Sequence, residues 1–255
     1  MSVPFPTGRR VFFVTPHQDD ETISMGLIIS HHALAGRRCS VVPGAMGETT
    51  TAIYPINGTV SNGWWGGTHN LTFEDRSPVT PVEIGHARDL ELIDACAQLG
   101  VLPSEVYFPL SPRISSAIAP ADYVATAENV LKEIRDLDPA AGIYTMHWDD
   151  IDPQHAAYGQ ALKNLHDANP AAWSDVRWVV RESQATETGP DHIVAEQYIV
   201  PGSYLSEARL MVQHAARAYQ AWAPNLGRYA VGYHSVGVSL WPGVVAGNPN
   251  WIVRP

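Results

Sequence analysis

Short apolar runs rich in β-branched and aromatic residues alternate with helical patterns through the first two-thirds of the chain. Nothing else in the sequence constrains the fold as strongly. VFFVT, at Val11–Thr15, reads as a buried strand. Residues 22–35 set Ile23, Leu27, Ile28 and Leu34 near helical spacing, with Gly36 as a stop. Residues 40–43 form a second strand pattern. Across 82–99 the stripe of Ile84, Ala87, Leu92 and Leu99 predicts a helix that ends at Gly100. Residues 106–108, 123–137 and 142–146 repeat strand, helix and strand, and 156–166 adds another helix. Such alternation predicts an α/β fold: a Rossmann-like, mainly parallel sheet flanked by helices, with ligands beyond the carboxyl ends of the strands. The C-terminal part is less regular. Strands are expected at 176–180, 193–200 and 229–240, around a helix at 204–222. No linker or repeat divides the chain, so residues 1–255 are expected to form a single domain.

Charge excludes some partners. The 16 basic residues face 26 acidic ones, a net charge of −10, and no basic cluster exceeds Arg9-Arg10 or Arg37-Arg38. That balance argues against nucleic acid. The longest apolar stretch, 229–247, is broken by His234, Ser235, Ser239 and Pro242, so no membrane insertion is expected. The opening MSVPFPTGRR lacks the apolar core of a signal peptide, and a cytoplasmic location is expected. Cys39 and Cys96 are too few for a disulfide framework and read as small buried hydrophobes.

Residues 49–80 carry neither periodicity and include NGWWGGTHN. A loop that long is often a binding loop. Trp64 and Trp65 within it suggest a flap over a substrate, or they pin the loop to the core.

The chemistry concentrates at Pro16-His17-Gln18-Asp19-Asp20-Glu21, between the first strand and the first helix. A tight turn brings residues three apart together, so His17 and Asp20 are able to close on one metal ion. Asp19, on the other side of the turn, is then free for proton transfer. Capping of the helix would explain one aspartate but not a histidine with three acids. A catalytic zinc needs a third protein ligand and an open position for water. His155, at the start of a helix after the acidic turn 147–155, is the favoured third ligand.

PHQDDE resembles the PHPDDE signature of the LmbE/PIG-L family of zinc-dependent N-acetylglucosaminyl deacetylases. Gly47-Glu48 is similar to that family's Gly-Glu element. Arg88-Asp89-Leu90-Glu91, with Leu99-Gly100-Val101 closing the helix, is similar to its Arg-x-x-Glu helix. Asp152-Pro153-Gln154-His155 falls where the family has His-Pro-Asp-His. The resemblance implies His17, Asp20 and His155 as ligands to Zn2+, Asp19 as general base, and Glu48 and Arg88 as sugar contacts. Gln18 replaces a proline. Asp152 replaces a histidine that helps stabilise the tetrahedral intermediate, a task an anion cannot do. His147, His234 and Arg88 are the candidate substitutes; His234 lies in YAVGYHSVG, which is similar to a C-terminal element of family members.

The implied reaction is hydrolysis of an N-acyl group, acetyl in the simplest case, from an N-acetylglucosamine-type sugar. Zinc-activated water attacks while Asp19 accepts its proton. The implied partner is a small-molecule glycoconjugate. Residues 49–70 hold no Lys or Arg, which favours a bulky, partly apolar aglycone, such as a glycopeptide antibiotic, over a phosphate-bearing glycolipid. Two other readings use the same residues: a non-haem iron oxygenase built on the His/Asp/His triad, and a catalytically silent sugar-binding protein.

Overall fold

The computed structural model describes residues 9–186 and 189–255. Along them run β1 (Val11–Thr15), α1 (Asp20–Ile23), α2 (Gly26–Leu34), β2 (Cys39–Pro43), α3 (Ile53–Ile56), α4 (Pro81–Gln98), α5 (Tyr123–Leu137), β3 (Gly142–Met146), α6 (Pro153–Ala168) and β4 (Val176–Val180). There follow α7 (Glu182–Thr186), β5 (Glu196–Gln197), α8 (Gly202–Ala218), β6 (Trp222–Ala223), β7 (Arg228–Tyr229), α9 (Val231–Val236), α10 (Pro242–Val245) and β8 (Trp251–Val253).

Every residue of β1, β2 and β3 is buried, as in strands covered on both faces. Their side chains alternate between two cores. Val11 and Phe13 join α2, α4 and α8 on one face, and Phe12 and Val14 join α5 and α6 on the other. Each such apolar side chain contributes about 1.5–3 kcal/mol on burial. The sheet order is β2-β1-β3-β4-β8-β5, parallel from β2 to β4 and antiparallel at β8 and β5. The chain leaves β1 toward β2 on one side and later returns as β3 on the other. A crevice therefore opens beyond the carboxyl ends of β1 and β3, where this fold class places ligands. The expected α/β architecture is observed.

Several local expectations change. Residues 22–35 form two helices, not one, broken at Ser24–Met25. The side chain of Asn250 caps the second, with Oδ1 accepting the N–H groups of Leu27 (3.1 Å) and Ile28 (3.3 Å). Residues 106–108 form only one bridge, between Val106 and Val41. Within 193–200 only Glu196–Gln197 pairs, against β8, a strand the periodicity did not reveal. The largest correction is 229–240, expected as a strand. After β7 it is the helix α9, entered through Ala230 in the left-handed region (φ 48°). Its first N–H groups, on Val231 and Gly232, donate to the buried carboxylate of Glu91 at 2.6 and 3.0 Å. That partner lies far away in sequence, so a window of local residues could not show it.

By contrast, α4 begins where its own residues dictate, with Pro81 in the first turn and a Thr80/Glu83 capping box. Cys39 and Cys96 are buried free thiols. Among the described residues no helix is long and apolar enough to cross a membrane.

Candidate metal centre and its cavity

A cavity of about 500 Å3 opens beyond the ends of the parallel strands. His17, Asp19 and Asp20 reach it from the turn after β1, and Asp152 and His155 from the turn before α6. Arg88 enters from α4, Arg181 follows β4, and residues 235–250 close the far wall.

Hydrogen bonds fix the two imidazoles. His17 Nε2 lies 2.9 Å from Gln154 Oε1, an acceptor, so the proton sits on Nε2 and the Nδ1 lone pair faces the cavity. His155 Nδ1 lies 3.3 Å from the buried carboxylate of Asp150, which takes its proton and leaves the Nε2 lone pair free. Arg181 crowds the same ring edge, with Nη2 3.0 Å from Nδ1 and Nε donating to Asp150 at 3.0 Å. A ring nitrogen serves only one of these neighbours, and the anionic oxygen is the stronger claim. The two lone pairs then meet at 2.9 Å, with Asp20 Oδ2 3.0 Å from His155 Nε2 and 3.9 Å from His17 Nδ1. Three ligand atoms converge. When His155 carries its second proton, Nε2–H donates to Asp20, and a metal ion takes the place of that proton. Donors on a tetrahedral zinc stand roughly 3.3–3.5 Å apart. The donor set fits a divalent ion. Asp152 lies beside the two imidazoles: one ligand atom each from His17, Asp152 and His155 lie within 4.8 Å of one another.

The charges respond to this crowding. Burial, reinforced by the neighbouring His155, holds His17 down at about 4, a neutral imidazole at working pH. Burial would also lower His155, but Asp20 and Asp150 prevail and push it up to about 10. A metal must therefore displace a proton there. For Asp20, burial is outweighed by the two histidines, and the carboxyl stays well below its ordinary value. Burial pushes Asp19 up to about 7 against the pull of Arg88, whose Nη2 donates to Asp19 Oδ2 at 3.1 Å. A divalent ion alongside would draw Asp19 down again.

Gly47 makes the Arg88 contact possible. Its φ is +68°, and a Cβ there would stand 2.6 Å from Gln18 Oε1 and 2.9 Å from Arg88 Cδ. Gln18, in the place of the family's proline, ties the turn to its surroundings. Its amide donates to Asp89 at 2.8 Å and to the carbonyls of Ala45 and Met46, both at 3.2 Å.

Other sequence candidates lie elsewhere. Glu48 turns away from the cavity to accept the Ser116 N–H at 2.6 Å. His147 is buried at the end of β3, its Nδ1 accepting the Asp149 N–H at 3.1 Å. His234 donates through Nδ1 to the Ala230 carbonyl at 2.8 Å and meets His69 Nε2 at 3.0 Å. Trp64 packs on Tyr233 and His234 with ring centres at 4.9 and 5.3 Å. Trp65 stacks on His69 at 4.3 Å, and His69 on Trp222 at 4.1 Å. The two tryptophans thus pin the loop to α9 and β6. None of these five lines the cavity. Sequence reasoning missed Asp150, Gln154 and Arg181; the first two sit inside the acidic turn it had singled out.

Residues 12–166 match the family described as PIG-L: GlcNAc-PI de-N-acetylase. The chain belongs to the PIG-L family. No curated protein sequence matches it. Among solved structures, a deacetylase bound to teicoplanin is 16% identical (TM-score 0.59), covering 96% of this chain and 98% of that one. The deacetylase of an antimicrobial pseudoaglycone is 17% identical (TM-score 0.57), covering 96% and 97%. The 4-carboxy-2-hydroxymuconate hydratase GalB of Pseudomonas putida is 14% identical (TM-score 0.54), covering 97% of each chain. At these identities the likeness is one of fold alone.

Proposed function

We propose that this PIG-L protein is a zinc-dependent deacetylase acting on an N-acetylglucosamine-type sugar of a larger conjugate. One observation carries the reading: three ligand atoms, on His17, Asp20 and His155, converge beside a buried carboxylate, Asp19, on a cavity wall. His17, Asp20 and His155 would hold the ion. Bound there, zinc supplies a water of lowered pKa and polarises the amide carbonyl.

Asp19 takes the proton of the attacking water and passes it to the departing amine. Arg88 holds Asp19 in place and pulls its pKa down against burial. Gln154 and Asp150 fix the tautomers of the two histidines, a support that is typically worth 10–100-fold in affinity or activity in metal sites. Of the donors considered for the developing oxyanion, Arg88 alone lines the cavity, and its Nη2 already serves Asp19 and the Gln18 carbonyl. Arg181 is the other cation on the cavity wall. Hydroxyl and amide groups of Ser24, Thr49, Thr50, Ser183, Ser235 and Asn248 also line it, suited to sugar hydroxyls. Teicoplanin in a relative of the same fold supports a glycopeptide as the conjugate.

The test is acetate release from N-acetylglucosaminides with small and large aglycones, using zinc-loaded protein. Release should favour the large aglycones. Asp19→Asn should keep its zinc and lose about 10²–10⁴-fold in rate. Zinc-loaded protein that releases no acetate from any of them overturns the proposal.

A further inference from the structure

We propose that Asp152 is a protein ligand to the metal alongside Asp20, so that this chain's centre comprises two imidazoles and two carboxylates. The inference rests on the metal-dependent reading above and goes beyond it, because position 152 is where the sequence departs from the His-Pro-Asp-His pattern. A ligand atom of Asp152 stands within 4.8 Å of ligand atoms of both His17 and His155, and the residue lines the cavity.

The helix start explains how the carboxylate is held. Asp152 is the N-cap of α6, and its Oδ1 accepts the N–H groups of Gln154 (2.9 Å) and His155 (3.3 Å). Those bonds occupy one oxygen and fix the plane of the group, leaving Oδ2 for the ion. Pro153 stiffens the same turn at the first helical position. The bonds that start α6 therefore also orient a metal donor, and His155 follows one turn of the cap later on the same helix.

Charge is consistent with this. Asp20 and Asp152 together neutralise a divalent ion, while Arg88 pairs with Asp19 and Arg181 with Asp150. Two oxygens and two nitrogens, with water, form a harder and larger shell than three donors and a water. Such a shell should narrow the preference for zinc over cobalt and manganese.

Asp152→Asn and Asp152→Ser separate the two roles of the residue, since both side chains cap a helix and neither is an anionic ligand. Zinc affinity is measured on the whole protein by competition with a chromophoric chelator, and the coordination shell by the visible spectrum of the cobalt-loaded form. Both variants should bind zinc on the order of 10²-fold more weakly or worse, with altered cobalt bands. His17→Ala should lose the ion altogether.

If Asp152→Asn and Asp152→Ser bind zinc within about threefold of the parent with unchanged cobalt spectra, while His17→Ala does not bind, Asp152 is a cap only. The inference then falls and the metal reading stands. If the parent protein binds no metal, or His17→Ala binds as the parent does, the metal reading fails and takes this inference with it.

Discussion

Replacing Glu91 by glutamine tests how the far wall of the cavity is held. Glu91 is fully buried on α4, and its two oxygens accept the first N–H groups of α9 at 2.6 and 3.0 Å. Residues just beyond them, Ser235 and Val236, line the cavity. Burial pushes the Glu91 carboxyl up from 4.5 to about 8, against those two N–H donors and Arg88. A folded-state value above the unfolded one contributes stability that is complete below pH 4.5 and lost as pH rises to 8. At about 1.4 kcal/mol per pH unit, that interval is worth on the order of 5 kcal/mol.

Glutamine keeps the size of the side chain but has one accepting oxygen. Its amide NH2 cannot accept the second backbone N–H, whereas the neutral acid turns its O–H aside and still accepts through that oxygen, a difference of about 1–3 kcal/mol. The variant should therefore be less stable at pH 5 by about that amount. As pH rises the parent loses the Glu91 contribution and the variant does not, so the two stabilities should cross before pH 9. Urea unfolding followed by tryptophan fluorescence at each pH reads this directly. Glu21, also raised by burial, titrates in both proteins, while Asp19, whose charge acts on Glu91, adds a smaller coupled change to the difference. A difference that stays constant from pH 5 to 9 would mean that Glu91 is ionised throughout and that α9, rather than burial, sets its charge.

Three further outcomes follow from contacts already described. Arg88→Met removes the cation 3.1 Å from Asp19, so the acid limb of the kcat/KM profile should move up by about 1–3 pH units; a uniform loss with the limb unmoved would contradict the pairing. Asn250→Ala strips the cap from α2 and should lower stability by about 1–2 kcal/mol in denaturant unfolding, and an unchanged midpoint would show the cap to be idle. Trp65→Ala breaks the stack on His69, where an aromatic pair is worth about 0.5–1.5 kcal/mol. It should lower Tm and leave KM for a small glucosaminide unaltered, whereas a large rise in KM would return the loop to the substrate.

How much was legible varies with the range of the interaction involved. The helices at 82–99 and 156–166 were visible from their apolar periodicity, although their caps at Thr80/Glu83 and Asp152-Pro153, local as they are, were not read. The motif at 16–21 was visible because it fills one turn between a strand and a helix. That His234 and Trp64 pack together rather than line the cavity was not legible, because an apolar, aromatic segment reads alike whether it faces a cavity or another aromatic cluster.

By itself the sequence determined the alternation of buried strands with amphipathic helices and the placing of His17, Asp19 and Asp20 in the turn after β1 and of His155 at the start of the helix that follows β3. Period and capping are local, and they act on any chain that carries them. Tertiary structure alone decided that Glu91 starts α9, that Asn250 starts α2, and that Gln154 and Asp150 orient the two imidazoles. A buried donor must find its acceptor wherever the fold brings one, and for α9 and α2 that partner lies far off along the chain.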